Sequence, residues 1–156
     1  MGAVDDRLAE LGLVLPPVAA PAGSYVPALR TGALVYTAGQ LPFVDGRLST
    51  TGKVGDGQGL VRPDDAQALA ATCVLNALAA AATVVDSLDD VVRVVKLTGF
   101  VASDPDFSGQ PGVVNGASDL LGRIFGDAGR HARSAVGVAV LPLDSPVEVE
   151  LVLEVR

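Results

Sequence analysis

The C-terminal stretch RHARSAVGVAVLPLDSPVEVELVLEV, residues 130–155, decides the fold of this chain. It contains two strand candidates, residues 134–141 and 147–155, and we expect them to pair as a hairpin around residues 144–145. In the second candidate, apolar and polar side chains alternate, as in a strand with one buried face. One face carries Val147, Val149, Leu151, Leu153 and Val155, and the other carries Glu148, Glu150, Val152 and Glu154.

Six segments upstream have the composition and periodicity of further helices or strands. The helix candidates are residues 4–11, 63–85 and 112–125. The strand candidates are residues 25–30, 34–38 and 91–101. Residues 1–22 therefore hold a helix and a Pro-rich connector. Residues 44–62, rich in Gly and Asp, form a long loop with a brief strand near residues 47–50.

Turn and cap signals mark the ends of these segments. Residues 31–32, Thr-Gly, are expected to form the turn of a hairpin, and Gly12 ends the first helix. Asp64 is placed to cap the second helix, with Gln67 at the reciprocal position. The Val-rich strand 91–101 has so few charges that we expect it to be covered on both faces.

The order of these segments predicts an α+β fold in a single domain, residues 1–156, with one mixed sheet and both main helices packed on one face. The other sheet face must be solvated or covered. Its high Val content and few charges favour a second copy of the chain as the cover, and hence an oligomer.

Composition narrows the class of function. The 156 residues are 49% hydrophobic and carry a net charge of -7, without a run of Lys or Arg that could form a basic face for nucleic acid. We expect no membrane span, because polar residues interrupt every apolar stretch. The single cysteine, Cys73, cannot form an intramolecular disulfide, and the expected compartment is the cytoplasm.

Catalytic signatures of the common hydrolase, nucleotide-binding and zinc types do not occur in the sequence. With one His, His131, and one Cys, we expect no metal and no cofactor. Arg133 stands out because it precedes a strand of small apolar residues, where its rigid fork of donors could meet a carboxylate. On spacing alone, a surface arginine paired with an acidic side chain is the alternative.

Three motifs add a resemblance to a known family. They are SYVPAL at residues 24–29, TGALVYTAGQLP at residues 31–42, and RSAVGVAVLP followed by VEVE at residues 133–142 and 147–150. Together they resemble the end motifs of the Rid (RidA/YjgF, endoribonuclease L-PSP-like) family. The resemblance implies a chorismate-mutase-like fold, a homotrimer, and ligand sites in the clefts between subunits.

The resemblance also implies roles for five residues. Arg133 corresponds to the arginine that binds the ligand carboxylate, and Glu148 to the glutamate that orients the hydrolytic water. Tyr25 corresponds to the aromatic residue that closes the pocket. Gly39 corresponds to the glycine whose N–H faces the ligand, and Asn115 to an asparagine of the pocket helix.

The implied activity is that of a 2-iminobutanoate/2-iminopropanoate deaminase. Such a hydrolase converts enamines and imines of the 2-aminoacrylate or 2-iminobutanoate type into 2-oxo acids and ammonia. One departure is Ala135, where the family often has a reactive cysteine. A regulatory trimer that binds small carboxylates without turnover is therefore an alternative. An endoribonuclease or translation inhibitor is a further one, which the acidic balance disfavours.

The expected hairpin adds a geometric condition. In that register Glu148 faces about Leu141, which places Glu148 and Arg133 more than roughly 20 Å apart within one chain. The two residues can then cooperate only if a neighbouring subunit supplies one of them. The sequence therefore predicts a site between subunits.

Overall fold

Three α-helices and seven strands make up the described part of the chain, residues 2–21 and 23–156 of a computed structural model. The helices are α1 (Ala3–Glu10), α2 (Pro63–Ala81) and α3 (Gln110–Phe125). The strands are β1 (Ala28–Thr31), β2 (Leu34–Thr37), β3 (Phe43–Val44), β4 (Arg47–Leu48), β5 (Val91–Ala102), β6 (Ala132–Val138) and β7 (Val147–Val155). Short 3-10 turns lie at Leu88–Asp90, Gly126–Gly129 and Pro142–Asp144.

Five strands form a mixed sheet in the order β1-β2-β7-β5-β6, and β3 and β4 form a small separate ribbon. β5 pairs with β6 in parallel and with β7 antiparallel. The predicted β6–β7 hairpin is therefore wrong, because β5 lies between the two strands. The connecting residues 139–146 can span the roughly 10 Å across β5, so neighbours in the sequence need not be neighbours in the sheet.

α2 and α3 pack against each other and against the same face of the sheet, α2 on β7 and α3 on β5 and β6. The predicted α+β fold, with a mixed sheet and both main helices on one face, is thus confirmed. The largest fully buried leucines come from α2, α3, β5 and β7 and are Leu78, Leu97, Leu121, Leu151 and Leu153. Val147, Val149 and Val155 also point into this core, as the alternation of β7 predicts.

The opposite sheet face, which we call the open face, carries no helix of the described chain. Leu29, Tyr36 and Val136 lie there with exposed fractions of 58%, 43% and 41%. β5 is therefore covered on one face only within the chain, contrary to the expectation of two covered faces. Its buried and exposed residues alternate because only the helix side is packed.

Several element ends differ from the predictions. The β1–β2 turn is Gly32-Ala33, with Thr31 inside β1, and Gly32 adopts the positive φ of 57° that such a turn requires. α2 starts at Pro63 without a side-chain cap, so Asp64 does not cap it, and the helix ends at Ala81. The Gln67 amide instead donates to the carbonyl oxygen of Gly112 at 2.8 Å, which ties α2 to α3.

The N-terminal helix is fixed to the body of the protein. Val4 and Leu8 of α1 are buried, and α1 contacts α3. The Asp89 carboxylate accepts hydrogen bonds from the N–H groups of Ala3 (3.0 Å) and Val4 (2.8 Å), which satisfies two free donors at the helix start. No α-helix among the described residues is long and apolar enough to cross a membrane.

Candidate functional site

Arg133 lies on β6 at an edge of the sheet, and its side chain points to the helix side. β6 pairs Arg133 with Leu97, which is fully buried under the helices. Arg133 Nη1 donates to Asn115 Oδ1 at 2.8 Å and to Ser118 Oγ at 3.2 Å, both on α3. Nη2 donates to the carbonyl oxygen of Pro111 at 3.3 Å. One helix therefore holds the guanidinium on one side.

The remaining donors of Arg133 lie together. Both hydrogens of Nη1 and one of Nη2 are used by α3, whereas Nε and the second Nη2 hydrogen have no acceptor among the described residues. A guanidinium presents its Nε–H and one Nη2–H side by side, at the spacing of two carboxylate oxygens. The edge of Arg133 that faces away from α3 is thus suited to bind a carboxylate.

His131 and Ser118 form a relay behind Arg133 that the sequence analysis missed. His131 Nδ1 lies 2.6 Å from the carbonyl oxygen of Gly129, so it must donate its proton there. In the neutral ring, Nε2 then accepts from the Ser118 hydroxyl at 2.9 Å. This orients the lone pairs of Ser118 Oγ toward the Arg133 donor.

A signal for this relay existed in the sequence. Asn115 and Ser118 are three residues apart, which places them on one face of a helix. His131 and Arg133 are two residues apart, which places them on one face of an extended segment. From the sequence, His131 was considered only as a possible metal ligand, so its place beside Arg133 was not predicted.

Glu148 belongs to a different part of the molecule. It lies on β7 opposite Phe100 of β5 and points to the open face, between the buried Val147 and Val149. Gly39 lies beside it, because the segment after β2 bridges to β7 through two hydrogen bonds between Gln40 and Val149 (2.8 and 3.0 Å). A Cβ atom at position 39 would overlap Glu148 Oε1. Glycine is therefore what allows this close approach.

The surroundings of Glu148 favour its protonated form. Partial burial raises the pKa of its carboxyl above the ordinary value, and the neighbouring Glu150 carboxylate raises it further. Within the described residues, the Gly39 N–H has no hydrogen-bond acceptor. The Gly39 N–H donor and the Glu148 carboxyl, whose pKa is raised, therefore lie next to each other.

Glu148 and Gly39 line a cavity of about 390 Å³, which Tyr25 borders from the chain entering β1. The structure thus brings Tyr25, Gly39 and Glu148 together, three of the five residues singled out from the sequence. The other two, Asn115 and Arg133, are in direct contact with each other.

One chain does not unite these two groups. β5 lies between β6 and β7, Arg133 pairs with Leu97, and Glu148 pairs with Phe100 three residues further along. With about 4.8 Å between strands and about 3.3 Å per residue, their Cα atoms lie about 14 Å apart. The expected separation of more than 20 Å is therefore wrong, since it rested on the hairpin. However, the two side chains point to opposite faces of the sheet.

Comparison with known proteins identifies the family. Residues 5–155 match the family described as "YjgF/chorismate mutase-like, putative endoribonuclease". The chain belongs to the YjgF/Rid family. It is 43% identical to Protein TCP17 of Trypanosoma cruzi, covering 99% of this chain and 96% of that protein.

Solved structures of the YjgF/Rid family share the whole fold. A "putative endoribonuclease" from Shewanella oneidensis MR-1 is 33% identical and superposes with a TM-score of 0.93, covering 99% of this chain and 100% of that one. The structure of E. coli TdcF with bound serine is 25% identical, with a TM-score of 0.62 and coverage of 92% and 95%. TdcF is thus a relative that holds a small molecule bearing a carboxylate.

Two further observations concern nucleophiles and metals in this YjgF/Rid chain. Cys73 is fully buried in α2, and burial raises the pKa of its thiol well above the ordinary value, so it is a core residue and not an exposed thiolate. Position 135, on the helix side two residues after Arg133, holds alanine and has no thiol. In the described ranges, no cluster of three or more His, Cys, Asp and Glu side chains is placed to hold a metal ion.

Proposed function

We propose that this protein hydrolyses enamines and imines derived from amino acids, of the 2-aminoacrylate or 2-iminobutanoate type, to 2-oxo acids and ammonia. The observation that carries the proposal is the Arg133 guanidinium, which α3 holds so that one bidentate edge faces outward. We further propose that the chain acts as a cytoplasmic homotrimer in which each site combines Arg133 of one subunit with Glu148 of its neighbour.

The separation of the two groups supports a site between subunits. Arg133 lies at the edge strand β6, where an adjacent copy can approach. Glu148 lies on the open face, which also carries exposed apolar side chains such as Tyr36 and Leu29. Covering such a face with a second copy removes apolar surface from water and brings an edge of one sheet to the open face of another.

The proposed chemistry assigns one task to each group. The substrate carboxylate binds the Nε and Nη2 edge of Arg133, which fixes the C=N carbon near the Glu148 pocket. The Glu148 carboxylate accepts a proton from the water as its oxygen bonds to that carbon. The electron pair of the C=N bond moves to nitrogen, which takes the proton back from Glu148 to give the carbinolamine. A further proton from solvent converts its amino group into ammonium, and the C–N bond breaks as the hydroxyl loses its proton and becomes the carbonyl of the 2-oxo acid, so that ammonia leaves. An enamine enters the same sequence after its carbon takes up a proton and its nitrogen loses one, which gives the imine. The Gly39 N–H and the Tyr25 ring line the cavity in which this occurs.

Mixed oligomers test the proposal. Arg133→Ala and Glu148→Gln proteins, each alone, are expected to lose at least about 97% of ammonia release from 2-iminobutanoate generated in situ, because charged hydrogen-bond partners contribute about 2–5 kcal/mol. Unfolding the two variants together and refolding them as a random mixture restores sites that have both residues intact. About one quarter of the sites are complete in such a mixture if each site spans two subunits.

The control is a mixture of Arg133→Ala with a double variant, Arg133→Ala/Glu148→Gln, which contains no complete site in any arrangement. Ammonia release is measured against the wild-type protein carried through the same refolding. Recovery near one quarter supports the site between subunits. Full activity of Arg133→Ala alone would overturn the proposed function. Activity of the control mixture, in which no subunit has Arg133, would overturn the assignment of Arg133, and full activity of Glu148→Gln alone would overturn that of Glu148.

A carboxylate-binding regulator without turnover is the second candidate. It is favoured by one observation, that the outward edge of Arg133 is organised entirely within its own chain and does not depend on Glu148. Calorimetric binding of 2-oxobutanoate by a protein that releases no ammonia from any imine would select this candidate over hydrolysis.

A further inference from the structure

The cavity at Glu148 has a wall that comes from the N-terminal connector. The connector residues on this wall are Ala19, Ala20 and Pro21. The remaining apolar lining consists of Pro27, Leu41, Phe43, Pro142 and Leu143, together with Tyr25. The polar lining comes from Gly39, Gln40 and Glu148, which are neighbours because Gln40 bridges to Val149 and Gly39 lies against the Glu148 side chain. Most of the lining is therefore apolar, and its polar groups are gathered around the Glu148 carboxyl.

The connector that forms this wall follows an anchored segment of the chain. α1 is buried through Val4 and Leu8 and capped by Asp89, and Leu13 and Leu15 of the following connector pack against the core. The chain therefore enters the cavity wall from an anchored segment. A wall anchored in this way can select among ligands by shape, whereas a mobile tail would adapt to each of them.

Leu143 supplies a second observation at the rim of the same cavity. It has a φ of 57°, and its side chain is 65% exposed. The left-handed conformation is less favourable for leucine than for glycine, because the leucine Cβ crowds the backbone. Since the Leu143 side chain is exposed, burial within this chain does little to offset that cost. An apolar side chain held there at a cost is expected where it contacts a ligand.

From these observations we infer that the cavity binds the apolar side chain of the substrate, so that the preferred substrates are 2-imino acids with branched or aromatic side chains, and that the N-terminal connector determines this preference. The inference rests on the proposed function. A volume of about 390 Å³ lies within the range of roughly 300–1,000 Å³ of pockets for small organic ligands. A methyl side chain would leave most of such an apolar space unfilled.

The preference has an expected size. Each buried methylene contributes about 0.8 kcal/mol, which corresponds to about fourfold in affinity. The imine derived from leucine has three more side-chain carbons than the imine derived from alanine. We therefore expect kcat/KM for 2-imino-4-methylpentanoate to exceed that for 2-iminopropanoate by at least about tenfold.

Narrowing the connector wall tests the assignment. Ala20 is exposed at the cavity, so Ala20→Phe fills space without disturbing the core. We expect this variant to lower the ratio of kcat/KM between the leucine-derived and alanine-derived imines at least tenfold. Val14→Phe is the matched control, because Val14 lies on the same connector, is 83% exposed and does not line the cavity, and its ratio should equal that of the wild type. Ala20→Leu is measured in parallel as a smaller change.

Binding of 2-oxo acids tests the cavity assignment independently of hydrolysis. Dissociation constants of 2-oxopropanoate and 4-methyl-2-oxopentanoate are measured by calorimetry for the wild type and the same three variants. A wild-type protein that releases no ammonia, yet binds the larger acid more tightly in a manner sensitive to Ala20→Phe, would refute hydrolysis and support the cavity assignment. Equal ratios for wild type, Ala20→Phe and Ala20→Leu in both measurements would overturn the assignment, whether or not imines are hydrolysed.

Discussion

At the scale of single residues, the candidate site depends on how α3 positions one guanidinium. Asn115, Ser118 and the Pro111 carbonyl occupy three of the five donors of Arg133, and the two that remain form one bidentate edge. His131 contributes indirectly, because it fixes the hydroxyl of Ser118. His131 and Ser118 are therefore positioning residues for Arg133.

The relay from His131 through Ser118 predicts coupled effects on carboxylate binding. His131→Ala and Ser118→Ala should each raise the Kd of 2-oxobutanoate about 2- to 12-fold, since one hydrogen bond contributes about 0.5–1.5 kcal/mol. The double variant should resemble the worse single variant, because both changes break the same chain of hydrogen bonds. Calorimetry measures the three constants. Thr83→Ala, which removes a distant side-chain hydrogen bond to Ala80, is the control. Strictly additive effects would contradict the relay.

Glu148 predicts a specific dependence of stability on pH. Its pKa in the folded protein is raised from an ordinary value of 4.5 by burial and by Glu150. The group therefore contributes stability below the ordinary value, and this contribution is lost as pH rises through the raised pKa. Glu148→Gln has no proton to lose. The melting temperature of Glu148→Gln should therefore rise relative to that of the wild type as the pH increases from about 4 to about 8.

The control for this measurement is Asp119→Asn, because Asp119 is exposed on α3 and forms no ion pair with another described residue. Its melting temperature should differ from that of the wild type by an amount that does not increase over the same pH range. A constant difference for Glu148→Gln as well would show that the environment of Glu148 does not favour its protonated form.

At the scale of elements, the close packing of α2, α3 and the sheet decides where Arg133 and its partners lie. Gly99 of β5 faces Val114 of α3, and Gly116 of α3 faces the backbone of Gln67 in α2. In both places a Cβ atom would overlap the neighbouring element. The few aromatic residues of the sequence, 4%, fit this arrangement, in which small residues let helices approach each other and the sheet closely.

Gly116 gives the corresponding prediction. Gly116→Ala places a methyl group against the Gln67 carbonyl oxygen and should lower the free energy of unfolding by about 1–3 kcal/mol. Gly122→Ala, in the same helix, meets no atom within 4 Å and should instead raise the free energy of unfolding by about 0.5–1 kcal/mol through helix propensity. Urea unfolding followed by circular dichroism measures both changes. A neutral Gly116→Ala would show that α2 and α3 can separate without cost.

At the scale of the whole molecule, the sheet separates two incomplete sites. The helix side carries Arg133 at the outer edge, and the open face carries Glu148 with its cavity and several exposed apolar side chains. The molecule has a net charge of -7, and the described residues form two ion pairs, Arg7 with Glu10 at 2.9 Å and Arg130 with Asp127 at 3.5 Å. In the proposed oligomer, a second copy covers the open face. This buries the exposed apolar side chains and brings Arg133 of one subunit to Glu148 of the other.

The sequence by itself determined the identity and order of the elements and the face on which each residue of β7 lies. These follow from local rules: the two-residue period of a strand, the flanking Gly and Pro residues, and the apolar composition of the helices. Periodicity does not depend on which strand is the neighbour, so the predictions of elements needed no knowledge of the sheet order. The roles assigned to Arg133, Glu148, Tyr25, Gly39 and Asn115 came instead from the resemblance of the end motifs to the family.

Only the tertiary structure decided which residues meet. The insertion of β5 between β6 and β7 replaced the expected hairpin, brought Arg133 and Glu148 to about 14 Å, and placed them on opposite faces. The docking of α3 beside β6 joined His131 and Ser118 to Arg133, and the anchoring of α1 brought the connector to the Glu148 cavity. These contacts link residues far apart in the sequence, and they depend on how elements pack, which local propensities do not encode.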